Sequence, residues 1–125
     1  MTTLSGHTEA IRAKKVIDTS VKDLQGNKIG EVTDIVLDKQ SNNIMFAVVS
    51  FGGFLGIGEK YHPIPWALLD YDENDGAYVV DLTKDQLKAA PADSIQELLR
   101  DSGSSYRDRA YDYYKTPRYW DTRVN

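Results

Sequence analysis

Gly52-Gly53-Phe54-Leu55-Gly56-Ile57-Gly58-Glu59-Lys60-Tyr61-His62-Pro63-Ile64-Pro65-Trp66 is the stretch on which the reading of this chain turns. Glycine adopts backbone angles that side chains forbid, and proline removes a ladder donor. The stretch must therefore turn sharply and then finish a strand near a sheet edge. Its glycines and Lys60 invite comparison with a phosphate loop, but Tyr61 follows the lysine where Ser or Thr is required. Pro63 and Pro65 also forbid the helix whose N-terminus would hold the phosphate. The segment reads as a structural corner built by Gly56, Gly58, Pro65 and Trp66.

Strand-like runs lie on both sides of this corner. Upstream, Ile44 to Phe51 is a nearly continuous apolar run, short and rich in β-branched and aromatic residues, and is expected to be the most buried strand. Before it, Lys28 to Asp38 changes hydrophobic phase around Ile35 and Val36, which predicts a bulge or bend in a curling sheet. Asp23 to Asn27 and Lys39 to Asn43 are polar turns. Downstream, Lys60–Pro65 and Leu68–Tyr71 are expected as short strands flanking Trp66. Asp75-Gly76 then marks a hairpin returning through Ala77 to Leu82. Thr83 with Gln86, and Ser94 with Glu97, predict capped short helices, the first stopped by Pro91.

The predicted fold is mainly β: a small antiparallel barrel of about six strands, then short α-helices and an aromatic, Arg-rich C-terminal tail. The expected core is Val16, Ile29, Val32, Ile35, Val36, Ile44, Phe46, Val48, Val49, Ile64, Trp66, Leu68, Val79 and Leu82.

These residues resemble the PRC-barrel family, the small β-barrel of the photosynthetic reaction-centre H subunit's cytoplasmic domain and of the C-terminal half of a bacterial ribosome maturation factor. The matching features are Gly26 with Lys28-Ile29-Gly30-Glu31-Val32-Thr33-Asp34-Ile35, then Gly56-x-Gly58-Glu59-Lys60, Ile64-Pro65-Trp66, and Leu87-Lys88-Ala89-Ala90-Pro91. The resemblance implies a polar lead over residues 1–13, a PRC-barrel domain over 14–91, and a short helix with the aromatic tail over 92–125. It also implies a free-standing member acting as an interaction module, without the membrane helix or extra domain of those two relatives.

The 125 residues carry 15 Lys and Arg against 19 Asp and Glu, a net charge of −4. The imbalance sits in residues 1–100, with 10 basic against 15 acidic side chains, which argues against a broad phosphate-neutralising face. There is no cysteine, so disulfides, thiolate nucleophiles and zinc–thiolate sites are excluded. No run approaches the roughly 20 apolar residues of a membrane span, and the expected setting is soluble and cytoplasmic.

Asp70, Asp72 and Asn74 alternate as in a calcium loop, but Asp75 replaces the required glycine, Asp81 stands at the twelfth position, and strands flank the site. A solvated hairpin turn is the better reading, and no metal or cofactor is expected. Of the two histidines, His7 lies in the polar lead. His62 is read as a surface or corner residue, with no neighbour to orient it as a base. The chain is read as non-enzymatic.

Tyr106, Tyr111, Tyr113, Tyr114, Tyr119 and Trp120 interleave with Arg107, Arg109, Lys115, Arg118 and Arg123 in the tail. Such residues dominate interface hot spots. Three readings stay open: packing on the chain's own barrel, docking on a partner or second copy, and stacking on single-stranded RNA. Asp108, Asp112 and Asp121 dilute the field that the last would need. The expected function is a non-catalytic protein–protein interaction module, self-associating as a homodimer or binding a protein partner. Its candidate contact residues are Phe54, Leu55, Ile57, Tyr111, Tyr113, Tyr114, Tyr119 and Trp120. RNA or ribosome-associated binding through the tail, and a reaction-centre-like accessory role on a membrane complex, are the alternatives.

Overall fold

Among the described residues, six strands form one sheet in the order β4-β3-β2-β1-β6-β5. They are β1 (Ser20–Lys22), β2 (Lys28–Asp38), β3 (Asn43–Ser50), β4 (Tyr61–Ile64), β5 (Asp70–Asp72) and β6 (Ala77–Val79). The computed structural model describes residues 10–52 and 60–121. A helical turn, α1 (Ala13–Val16), precedes the sheet. Helices α2 (Lys84–Ala89), α3 (Ile95–Leu98) and α4 (Ser104–Tyr113) follow it.

Every pairing is antiparallel except one: β1 and β6 run parallel, with Val21 opposite Tyr78. The sheet is thus mostly antiparallel, as the sequence predicts, with this one parallel pair. A parallel neighbour needs a long crossover, and the whole of β2 to β5 supplies it. Between the terminal strands β4 and β5 the chain crosses by a 3-10 turn, Trp66–Leu68. Side chains from all six strands contribute to one interior, with Val21, Ile29, Val32, Ala47, Val49, Ile64 and Tyr78 buried and Tyr71 packed against them. With strands nearly 5 Å apart, a flat sheet of six could not bring them together, so the sheet curls around them.

The anticipated phase change in β2 is present as two register shifts, between Val32 and Asp34 and between Val36 and Leu37. They let one strand serve two cores. Val32 faces the interior, whereas Val36 packs outside with Met45, Phe46, Val48 and Leu98. Strand β3, between β4 and β2, is buried on both faces, which accounts for its unbroken apolar sequence. Its outer face is covered by α3 and by α4, whose Tyr106 joins the same cluster.

Both edges are protected. On β4, Tyr61 exchanges two backbone hydrogen bonds with Asp93, N–H to O at 2.9 Å and 3.0 Å, so the amides of odd-numbered residues point outward. Pro63 falls on that outward side, where a missing N–H costs no ladder bond. The other edge, β5, is three residues long and carries Asp70 and Asp72.

Seven residues of the expected core, Ile35, Val36, Ile44, Trp66, Leu68, Val79 and Leu82, are half-buried rather than buried, and at two places the facing itself differs. In β6 Ala77 and Tyr78 are buried and Val79 is only half-buried, with Val80 buried just beyond the strand; past the 3-10 turn Leu69 is buried where Leu68 is half-buried. Each is a one-residue change of facing, which in extended chain moves a side chain to the opposite side.

Candidate functional site

The β2–β3 turn is organised by Asp38, whose side chain is 7% exposed. Its Oδ1 accepts from the backbone N–H of Gln40 at 2.9 Å and of Ser41 at 3.4 Å. Its Oδ2 accepts from the Tyr119 hydroxyl at 2.7 Å, from 81 residues away. The Tyr119 bond is the largest influence on Asp38 and, with the turn amides, holds its carboxyl below the usual range despite burial. Burial, and then the same bond, raise the Tyr119 phenol.

Tyr119 arrives there because the chain doubles back after α4. The reversal passes through Lys115, which has a left-handed φ of 54°, and the Thr116 N–H bonds the Tyr111 carbonyl at 3.0 Å. An ion pair from Arg118 to Asp112, at 2.7 Å, ties the returning segment to its helix. Trp120 then meets Tyr111 and Tyr119 edge to face at 4.8 Å and 5.0 Å, under the Arg107 guanidinium at 3.9 Å from its ring centre.

The tail is thus packed on its own barrel. Tyr111, 4% exposed, donates to the Met45 carbonyl at 2.9 Å, and burial pushes its phenol up to about 12. Tyr106 donates to Asp93 at 2.6 Å, and Tyr113 to the Gln86 carbonyl at 2.6 Å. Tyr114 packs against the interior cluster, with its hydroxyl buried and unpartnered among the described residues. The start of this layer is set by Gly103, whose φ of 87° turns the chain into α4. A Cβ there would lie 2.9 Å from the Met45 sulfur.

Where the returning segment passes the rim of the sheet it leaves a cleft of about 430 Å³. One wall is Asn42, Asn43 and Ile44, from the turn and the start of β3. A second is Trp66 and Ala67, from the 3-10 turn; the third is the tail, through Tyr111, Thr116, Pro117 and Tyr119. None of these nine side chains is charged. The cleft brings together three of the candidate residues, Trp66, Tyr111 and Tyr119. It leaves out Tyr113, Tyr114 and Trp120, and Pro65 is buried beside it. Phe54, Leu55, Ile57, Gly56 and Gly58 lie outside the described residues. Asn42, Ile44, Ala67, Thr116 and Pro117 carried no sequence signal as site residues, because only the fold places them together.

Tyr119→Phe is expected to lower the unfolding free energy by about 1–2 kcal/mol, since it deletes a hydroxyl bonded to a buried carboxylate. Urea unfolding followed by Trp fluorescence checks this.

His62 is not a surface residue. It is 1% exposed, lies edge-on to Phe51 at 5.0 Å, and its Nε2 is 3.1 Å from the Leu87 carbonyl. That carbonyl can only accept, so Nε2 carries the proton and the bare Nδ1 has no partner among the described residues. Burial, aided by Lys60 and opposed by the Leu87 bond, lowers its pKa below the ordinary 6.5. The folded state therefore resists a proton that the unfolded chain accepts. The resulting stability is full above about pH 6.5 and is lost as pH falls through the folded value. Urea midpoints measured from about pH 8 to about pH 5 should drop with acid, and His62→Phe should flatten the part of the slope nearest pH 6.

In the hairpin considered for calcium, Asp72 Oδ1 accepts from the Asn74 N–H at 3.0 Å and Asp75 pairs with Lys22 at 3.2 Å. These carboxylates hold the turn and its neighbouring strand. Among the described residues no group of three acidic, His or Cys side chains is placed to hold a metal ion. No described helix is long and apolar enough to cross a membrane.

A six-stranded curled sheet with a helical outer layer and an uncharged aromatic cleft defines a small β-barrel scaffold. The family model for the PRC-barrel domain matches residues 8–87, and the chain belongs to that family. It is also similar to an uncharacterized protein of Deinococcus radiodurans, 28% identical over 70% of this chain and 36% of the relative. The chain thus spans about a third of that relative's length.

Proposed function

We propose that the chain is a non-catalytic protein–protein interaction module that takes a partner chain, a second copy included, at the cleft bounded by Trp66 and Tyr119. The observation that supports this is the cleft's make-up: Trp and Tyr rings beside small neighbours, with no charged side chain in its lining. Aromatic rings in such a depression offer large contact area with few torsions to freeze, which is how interfaces concentrate their binding energy. RNA is the weaker reading. Tyr111, Tyr119 and Trp120 stack on one another rather than standing open for bases, and Arg107 and Arg118 are engaged by Asp108 and Asp112.

Ala67→Arg places a long charged side chain at the exposed lip of the cleft without touching the core. Light scattering across a concentration series, with capture from a native extract, should show association or partners that this variant loses. A strict monomer whose captured proteins are the same with and without the substitution would refute the proposal.

A further inference from the structure

His62, the one imidazole among the described residues, sits at a seam between strand and helix. It lies opposite Val49 in the β3–β4 ladder and on the same face of β4 as Ile64. Helix α2 closes the interior there: Leu87 is 0% exposed and belongs to the interior cluster with Val49, Phe51 and Ile64. Across the seam the His62 Nε2–H donates to the Leu87 carbonyl at 3.1 Å. Tyr113 adds a bond from α4, its hydroxyl donating to the Gln86 carbonyl. Six residues are too few for a helix to persist unsupported, so α2 keeps its shape by docking.

The docked helix accommodates only the neutral ring. Both nitrogens of an imidazolium donate, and Nδ1 is buried with no acceptor among the described residues. No countercharge faces the ring either. Beside β4, Lys60 repels a proton, and on β3 and just beyond it Val49 and Phe51 are apolar. The charged residues of α2, Lys84, Asp85 and Lys88, are exposed. Asp93, bridged to the neighbouring Tyr61, serves the outer layer, where it bonds the Tyr106 hydroxyl and the Ser94 N–H. The other titratable groups of the interior are the phenols of Tyr71, Tyr78 and Tyr114, which carry no negative charge at neutral or acid pH. A buried cation without a partner is driven toward water. Lifting a six-residue helix exposes far less than unpairing β4 from β3, to which Tyr61 to Ile64 are all laddered.

We propose that His62 is a proton-operated latch: on mild acidification its imidazolium releases α2 from β4 and uncovers the apolar interior beneath Leu87, while the sheet stays folded. The latch does not depend on what the cleft at Trp66 binds.

Native-state hydrogen exchange on the full chain tests this, in a His7→Gln background that leaves His62 as the only imidazole. Protection factors, which remove the intrinsic pH dependence of exchange, are read at the Leu87 and Ala90 amides, bonded to the Thr83 and Leu87 carbonyls. They should be level above about pH 7 and fall below about pH 6.5 by up to about tenfold per pH unit, because opening takes up one proton. Low urea should hardly change them, since little surface is exposed on opening. The amides of β3 should be at least about tenfold better protected and steeply urea-dependent. His62→Gln keeps an N–H for the Leu87 carbonyl but cannot be protonated, and should remove the pH dependence at α2. If that variant fails to fold, the urea series on the parent chain still separates local from global opening. Shared protection and urea dependence in α2 and β3, α2 protection that ignores pH below about 6.5, or a pH dependence that survives in His62→Gln would overturn the latch.

Discussion

Gly30→Ala should be the most damaging single-methyl change in this protein, lowering the unfolding free energy by about 3 kcal/mol or more, the upper end for overpacking. A Cβ at this position would overlap the Ser50 carbonyl oxygen and lie 2.8 Å from Cδ1 of Phe51. The first of these is backbone, so no rotamer change relieves it. Gly30 lies opposite Val21 of β1 on one side, and its neighbour Glu31 lies opposite Ser50 of β3 on the other. Any shift that makes room therefore pulls on two ladders. Phe51 belongs to the interior cluster and is 2% exposed, so moving it opens the core. A loss of this size corresponds to about 10 °C in melting temperature for a chain of this length. Glu31→Ala, one residue along and exposed, should stay within about 0.5 kcal/mol. Equal effects from the two substitutions would show that the close approach of β2 and β3 is not as described.

Leu98→Ala should cost about 2–5 kcal/mol, the range for deleting a fully buried leucine side chain. Leu98 is 0% exposed and packs with Met45, Phe46 and Val48 on the outer face of β3. Leu99, its neighbour, is 42% exposed, and Leu99→Ala should cost less than about 1 kcal/mol. The contrast tests whether the C-terminal layer is an integral part of the fold. If α3 and α4 were loosely attached, the two variants would melt alike. Hydrogen exchange on Leu98→Ala should also show faster exchange in α4, because Tyr111 reaches the Met45 carbonyl beside the cavity.

The sequence was most legible where one local rule decides the outcome. The broken phase of β2 predicted its bulges. Thr83 with Gln86 predicted the capping box, in which the Gln86 N–H bonds Thr83 Oγ1 at 3.1 Å and the Thr83 N–H bonds Gln86 Oε1 at 2.8 Å. Ser94 capping Glu97 at 3.1 Å is a second case. Legibility failed where facing depends on distant partners. Ile95, Leu98 and Leu99 share helical spacing, yet only Leu98 meets β3 closely enough to be fully buried. Helix α4 was not anticipated because its residues give no aliphatic stripe: Tyr106, Ala110 and Tyr111 are its inner contacts, among serines, arginines and aspartates. His62 gave no sign of burial, since its environment comes from Phe51 and Leu87. The cleft was least legible of all. Residues 42, 66 and 119 meet only after the sheet has curled and the tail has returned.

The central claim is that the tail folds onto its own barrel and supplies one wall of the cleft. It is tested most directly by contacts between the Tyr111 ring and the Met45 methyl, and between the Tyr119 ring and the β2–β3 turn. These would be read as nuclear Overhauser effects in a dilute mixture of labelled and unlabelled chains. Contacts within a single chain, unchanged on dilution, are the predicted result. Contacts found only between chains, or none with tail amides exchanging as in an unfolded peptide, would contradict it.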